Sequence, residues 1–128
     1  MKIVAGYDGS NLAKEALNLA KEHARAFGAE VDILTSLTQN VQITDIQKAE
    51  NELENQKTFF EADKISCETH VIVSSLSPGE DLVQFVKDNQ VDEIIVGIKR
   101  RSKVGKLVFG STAQYIILYA ECPVVAIK

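Results

Sequence analysis

The residues of this chain best suited to act on an anion lie between Gly97 and Thr112, in the run GIKRRSKVGKLVFGST. It holds Gly97, Gly105 and Gly110, five cations (Lys99, Arg100, Arg101, Lys103, Lys106) and a Gly110-Ser111-Thr112 step at an expected helix start. Glycine lets a backbone come close to a ligand. A helix N-terminus offers free N–H donors and a partial positive charge. The run therefore reads as a phosphate cradle. A second candidate is Asp8-Gly9-Ser10, whose carboxylate can accept hydrogen bonds from an amino group or from ribose hydroxyls. Each has a plainer reading: a turn and helix cap for the first strand's end, a solvated loop for the basic run. Only their joint placement at one crevice favours a ligand site.

The elements that must position them alternate along the whole chain. Ile3-Val4-Ala5 is the core of a first strand. Ala13, Ala16, Leu17, Ala20, Ala24 and Phe27 then recur at helical spacing, with Ser10 or Asn11 as N-cap and Gly28 as the stop. Val31–Leu37 reads as strand two. A helix follows from Ile43 to about Lys64, its stripe of Ile46, Ala49, Leu53 and Phe60 interrupted by Gln56. Cys67–Val73 is strand three, and Ser77-Pro78-Gly79-Glu80 starts a third helix carrying Leu82, Val83, Phe85 and Val86. Glu93–Val96 is strand four, the helix after the basic run spans Ala113–Ala120, and Pro123–Ile127 is strand five.

This order implies an α/β fold: a doubly wound five-stranded parallel sheet with helices on both faces, in one domain over residues 1–128. Two strand orders are common, 2-1-3-4-5 and 3-2-1-4-5. In the second, the winding reverses between strands one and four, where such sheets bind ligands. Asp8 and Gly97 leave those two strands.

Composition narrows the function. The chain has 128 residues, 45% hydrophobic and 25% charged, enough for a real core. Its net charge of −4 excludes general nucleic-acid binding, which needs a basic face. Cys67 and Cys122 lack metal or redox spacing and read as core-filling residues. Without a signal peptide or long apolar run, a reduced cytoplasmic setting off the membrane is expected. No Walker P-loop, HExxH or GxSxG motif is present, and no metal-ligand set. His23 and His70 read as surface or half-buried histidines without partners. A receiver domain is excluded, because Ser74-Ser75-Leu76-Ser77 stands where its phosphoacceptor aspartate belongs. Ser102 after Arg100-Arg101 matches a basic-directed phosphorylation site, a motif too short to weigh.

Across essentially its full length the chain resembles the universal stress protein family. The resemblance rests on the opening KIVAGYDGS, the strand after GAEVDIL, the GIKRRSKVGKLVFGS loop and the ending YAECPVVAIK. ATP-binding members carry Gly, two residues, Gly, nine residues, then Gly followed by Ser or Thr. Gly97 and Gly110-Ser111 match that pattern, while Arg100 occupies the second glycine position. An arginine there either adds a phosphate contact or fills the space.

The resemblance implies a fold of strand order 3-2-1-4-5 and a bound ATP with Mg²⁺. It places Asp8 at the base and ribose, beside the Gly6 and Tyr7 backbone, and Ser36 where backbone usually meets adenine. It puts Gly97 and Arg100 at ribose and α-phosphate, and Gly110, Ser111 and Thr112 at the β- and γ-phosphates. It also implies a homodimer through the edge strand Val124, Val125, Ala126 and Ile127. The expected function is a regulator or sensor in stress response, signalling to a protein partner the sequence does not name, with no catalytic residue and at most slow hydrolysis. Two alternatives stand: a nucleotide-free dimerising interaction module of the same family, favoured by Arg100, and an ATP-using transferase, disfavoured by the short chain.

Overall fold

The computed structural model describes residues 1–98 and 110–128. Nine elements follow one another: β1 (Lys2–Gly6), α1 (Asn11–Phe27), β2 (Glu30–Thr38), α2 (Ile43–Ala62), β3 (Cys67–Ser74), α3 (Pro78–Asp88), β4 (Glu93–Gly97), α4 (Ser111–Tyr119) and β5 (Val124–Ile127). All strand pairs are parallel, and the sheet order is β3-β2-β1-β4-β5. Of the two orders the sequence allows, this is the one that reverses between β1 and β4.

The two-residue period of the strands divides the core. Ile3, Ala5, Val31, Ile33 and Ile95 pack against α1 and α2 on one face. Val4, Leu34, Ile94 and Val96 pack against α3 and α4 on the other. Parallel strands covered on both faces are apolar throughout, which is why β1 and β4 hold so few polar positions.

Local signals set the helix ends. Ser10 Oγ accepts from Ala13 N–H at 3.1 Å to start α1, and Gly28, at φ 65°, stops it in the left-handed region where glycine is favoured. At α3, Ser77 and Glu80 cap each other reciprocally at 3.3 and 3.2 Å, with Pro78 in the first turn. Each cap contributes about 1 kcal/mol.

The α1 stripe is buried at Ala13, Ala16, Leu17, Ala20 and Ala24, but Phe27, assigned to the same stripe, is 59% exposed. It stands in the last turn of α1, and its ring meets His23 edge-on. Gln56, which breaks the α2 stripe, is half-buried because its amide donates to the Tyr7 hydroxyl at 3.4 Å.

Candidate functional site

At the carboxyl ends of β1, β2 and β4 lies a crevice of about 1030 Å³. Residues from the β1–α1 turn, the ends of β2 and β4, α2, and the first turns of α3 and α4 line it. A second concavity of about 730 Å³ lies at the other end of the sheet, around Met1, Gly28 and Asp63. Doubly wound sheets bind ligands at the first kind of place.

The sheet order brings Gly6, Tyr7, Asp8, Ser36, Gly97, Gly110, Ser111 and Thr112 to this crevice. Arg100, with the other cations of the basic run, lies outside the described residues. Asp8 is exposed at the lip, and one of its carboxylate oxygens accepts from Ser10 N–H at 2.9 Å. That bond fixes the side chain in an Asx turn, and a carboxylate retains room for further donors. The Tyr7 backbone is committed within the protein: its N–H donates to the Leu34 carbonyl and its carbonyl accepts from Thr35 Oγ1, both at 2.8 Å. Burial, then the Glu52 charge, raises the Tyr7 hydroxyl pKa, so the phenol keeps its proton.

Also lining the crevice is the start of α4 at Gly110, whose extended backbone (φ −66°, ψ 156°) leads into Ser111. Its first turn carries no acidic residue, and among the described residues no side chain caps it, unlike α1 and α3. A helix start presents N–H donors of the kind an anion accepts. Gly97 serves packing. A Cβ built there would stand 2.6 Å from Leu12 Cγ, so glycine is what lets α1 close onto the end of β4.

Several crevice residues escaped sequence reasoning. Lys48, Asp45 and Glu52 come from α2, and Lys48 brings a cation within the described residues. Asp81 comes from the first turns of α3 and is 5% exposed. Ser36 Oγ donates to it at 2.5 Å, and Ser74 Oγ lies 2.8 and 2.9 Å from its two oxygens. The signal for Asp81 was its spacing: it stands four residues before Phe85 and beside Leu82, on the inward side of the helix.

The histidines are also corrected, because both have partners. His23 Nδ1 is hydrogen-bonded to Glu93 Oε1 at 2.9 Å, and His70 Nε2 to Asp32 Oδ1 at 2.8 Å. Both carboxylates are buried, and each imidazole supplies the bond that a buried acid requires. Cys67 is buried, and desolvation pushes its thiol up to about 12; burial raises Cys122 as well, and both side chains fill core space. Neither is an activated nucleophile.

A profile described as the universal stress protein family matches residues 1–128. A universal stress protein of Methanocaldococcus jannaschii is 28% identical over 142 aligned residues, spanning 99% of this chain and 81% of the relative. A solved universal stress protein from Archaeoglobus fulgidus is 34% identical, with a TM-score of 0.88 and coverage of 100% of this chain and 98% of that one. Another structure of the universal stress protein from that organism, in complex with dAMP, is 30% identical, with a TM-score of 0.84 and the same coverage.

Proposed function

The chain belongs to the universal stress protein family, and from that premise we propose that its crevice binds ATP with Mg²⁺ and that the protein acts as a nucleotide-dependent regulator or sensor. One observation carries the reading: Asp8 and the N-terminus of α4, which no side chain among the described residues caps, line one crevice. A carboxylate suits ribose or amino donors, and a helix start suits phosphates. The dAMP complex of a relative 30% identical to this chain supports an adenine nucleotide.

The described residues fit such a ligand in volume and in the polarity of the two ends. Mg²⁺ binds mainly through phosphate oxygens and water, so it would enter with the triphosphate. Among the described residues no group of three or more His, Cys, Asp or Glu side chains could hold a metal ion by itself. Asp8 would position the nucleoside, while Gly110, Ser111 and Thr112 would receive the phosphates. We read the site as a binding switch, with hydrolysis at most slow, working in the cytoplasm. Among the described residues no helix is long and apolar enough to cross a membrane.

The signal would pass through a homodimer. β5 is an edge strand, and the neighbouring α4 exposes Ile117, Leu118 and Tyr119. An apolar edge invites pairing, and a twofold pairing of Val124–Ile127 satisfies both copies at once. The second reading, a nucleotide-free dimerising module, is favoured by Arg100 at the second glycine position. Calorimetric titration of nucleotide-stripped protein with Mg²⁺ and ATP separates the two.

A further inference from the structure

We infer that Asp81, acting through Ser36, makes the far end of the crevice selective for a base that presents an amino group over one that presents a carbonyl. The inference rests on the nucleotide reading above. With phosphates drawn to the α4 N-terminus, the base falls to the β2 side, where Leu34, Val41 and Ala49 offer apolar surface and Ser36 a polar atom.

A free serine hydroxyl is indifferent to the polarity of its partner, because it donates and accepts equally. Ser36 is not free. As a carboxylate Asp81 can only accept, so the Ser36 proton is drawn towards it across 2.5 Å. What Ser36 then offers the crevice is lone pairs. The arrangement is braced from behind: Leu76 N–H donates to Ser74 Oγ at 3.0 Å, and the Ser74 hydroxyl donates in turn to Asp81. That chain sets the direction of every proton in the cluster. Burial of Asp81 keeps water from replacing either serine.

An amino group therefore meets an acceptor at Ser36. A ring carbonyl meets another acceptor and is left desolvated and unpaired, which costs binding. Asp81 is a positioning residue here, since Ser36 makes the contact.

The test compares ATP with ITP, which carries a carbonyl in place of the amino group on the same ribose triphosphate. Both are titrated calorimetrically, with Mg²⁺, into nucleotide-stripped wild type, Ser36→Ala and Asp81→Asn. Wild type is expected to prefer ATP by about tenfold or more. Ser36→Ala should bring the two ligands within about twofold of each other. Asp81→Asn, whose amide can donate to Ser36 and free its proton to turn, should abolish or reverse the preference. Should Asp81→Asn not fold, Ser36→Ala decides alone. Equal binding of ATP and ITP by wild type, or a preference unchanged in Ser36→Ala, overturns the inference and leaves the nucleotide reading standing. Binding of neither ligand by folded wild type overturns both.

Discussion

The Leu12 side chain fills the space that a side chain at position 97 would need, with Leu12 Cγ only 2.6 Å from where a Gly97 Cβ would stand. The glycine that opens the phosphate-cradle motif is therefore also a packing residue, joining α1 to the end of β4. Gly97→Ala is expected to destabilise the fold by about 1–3 kcal/mol through overpacking. In a double variant with Leu12→Ala, much of that loss should return. Urea midpoints of the two single variants and the double measure the coupling. Additive losses would mean that Leu12 is not what position 97 strikes.

The hydrogen bonds of β5 predict how to break a dimer without breaking the fold. Ile94 N–H donates to the Pro123 carbonyl and Ile98 N–H to the Ile127 carbonyl, so odd-numbered β5 residues bond inward. By the strand period, Val124 and Ala126 turn their backbone groups to the open edge. Ala126→Pro removes an outward N–H and is tolerated on an edge strand. Sedimentation should show a monomer with near-native circular dichroism; an undiminished dimer would place the interface elsewhere.

The His23–Glu93 pair predicts a stability effect larger than the half-exposure of His23 suggests. Glu93 is 6% exposed, and without His23 its carboxylate is left buried with a lost partner. His23→Ala should cost about 1–3 kcal/mol in chemical denaturation. Adding Glu93→Gln should recover part of it, because a neutral amide is cheaper to bury than an unpaired charge.

These partners show where sequence reading stops. The α1 stripe as far as Ala24, a cap at Ser10 or Asn11, the start of α3 at Ser77-Pro78 and the Gly28 stop are local signals, within a few residues of one another, and were legible. The crevice was legible only through the family resemblance, because the element order left 2-1-3-4-5 and 3-2-1-4-5 both open and only the second brings the ends of β1 and β4 together. The polar pairs were not. Glu93 is 70 residues from His23, and Asp32 is 38 from His70, so no spacing rule links them. Asp81 joins serines on two strands, and its burial follows from α3 docking on the sheet. A charged residue inside an apolar run, as Asp32 is in Val31–Leu34, was the available hint of a buried partner.

Cys67 sets an alkaline limit. Burial raises its thiol from 9.0 to about 12, so the folded chain holds this proton more tightly than the unfolded chain. The associated stability is complete below pH 9.0 and is lost as pH rises from there towards about 12. Burial of the Tyr7 phenol, raised from 10.0, acts in the same direction. Cys67→Ala should lower the neutral-pH melting temperature through its cavity, yet flatten the decline above pH about 9. Melting curves taken at intervals from neutral to alkaline pH check both; a parallel decline in the variant would remove Cys67 as the cause.

The most direct test of nucleotide binding is calorimetry with Mg²⁺ and ATP on protein stripped by unfolding and refolding, alongside Gly110→Val. Wild type should show one micromolar-range site per chain. Gly110→Val should show no measurable binding, because its side chain blocks approach to the α4 N-terminus, and should leave the oligomeric state as in wild type. No binding by folded wild type would contradict the ATP reading and favour the interaction module. Full affinity in Gly110→Val would contradict the phosphate site.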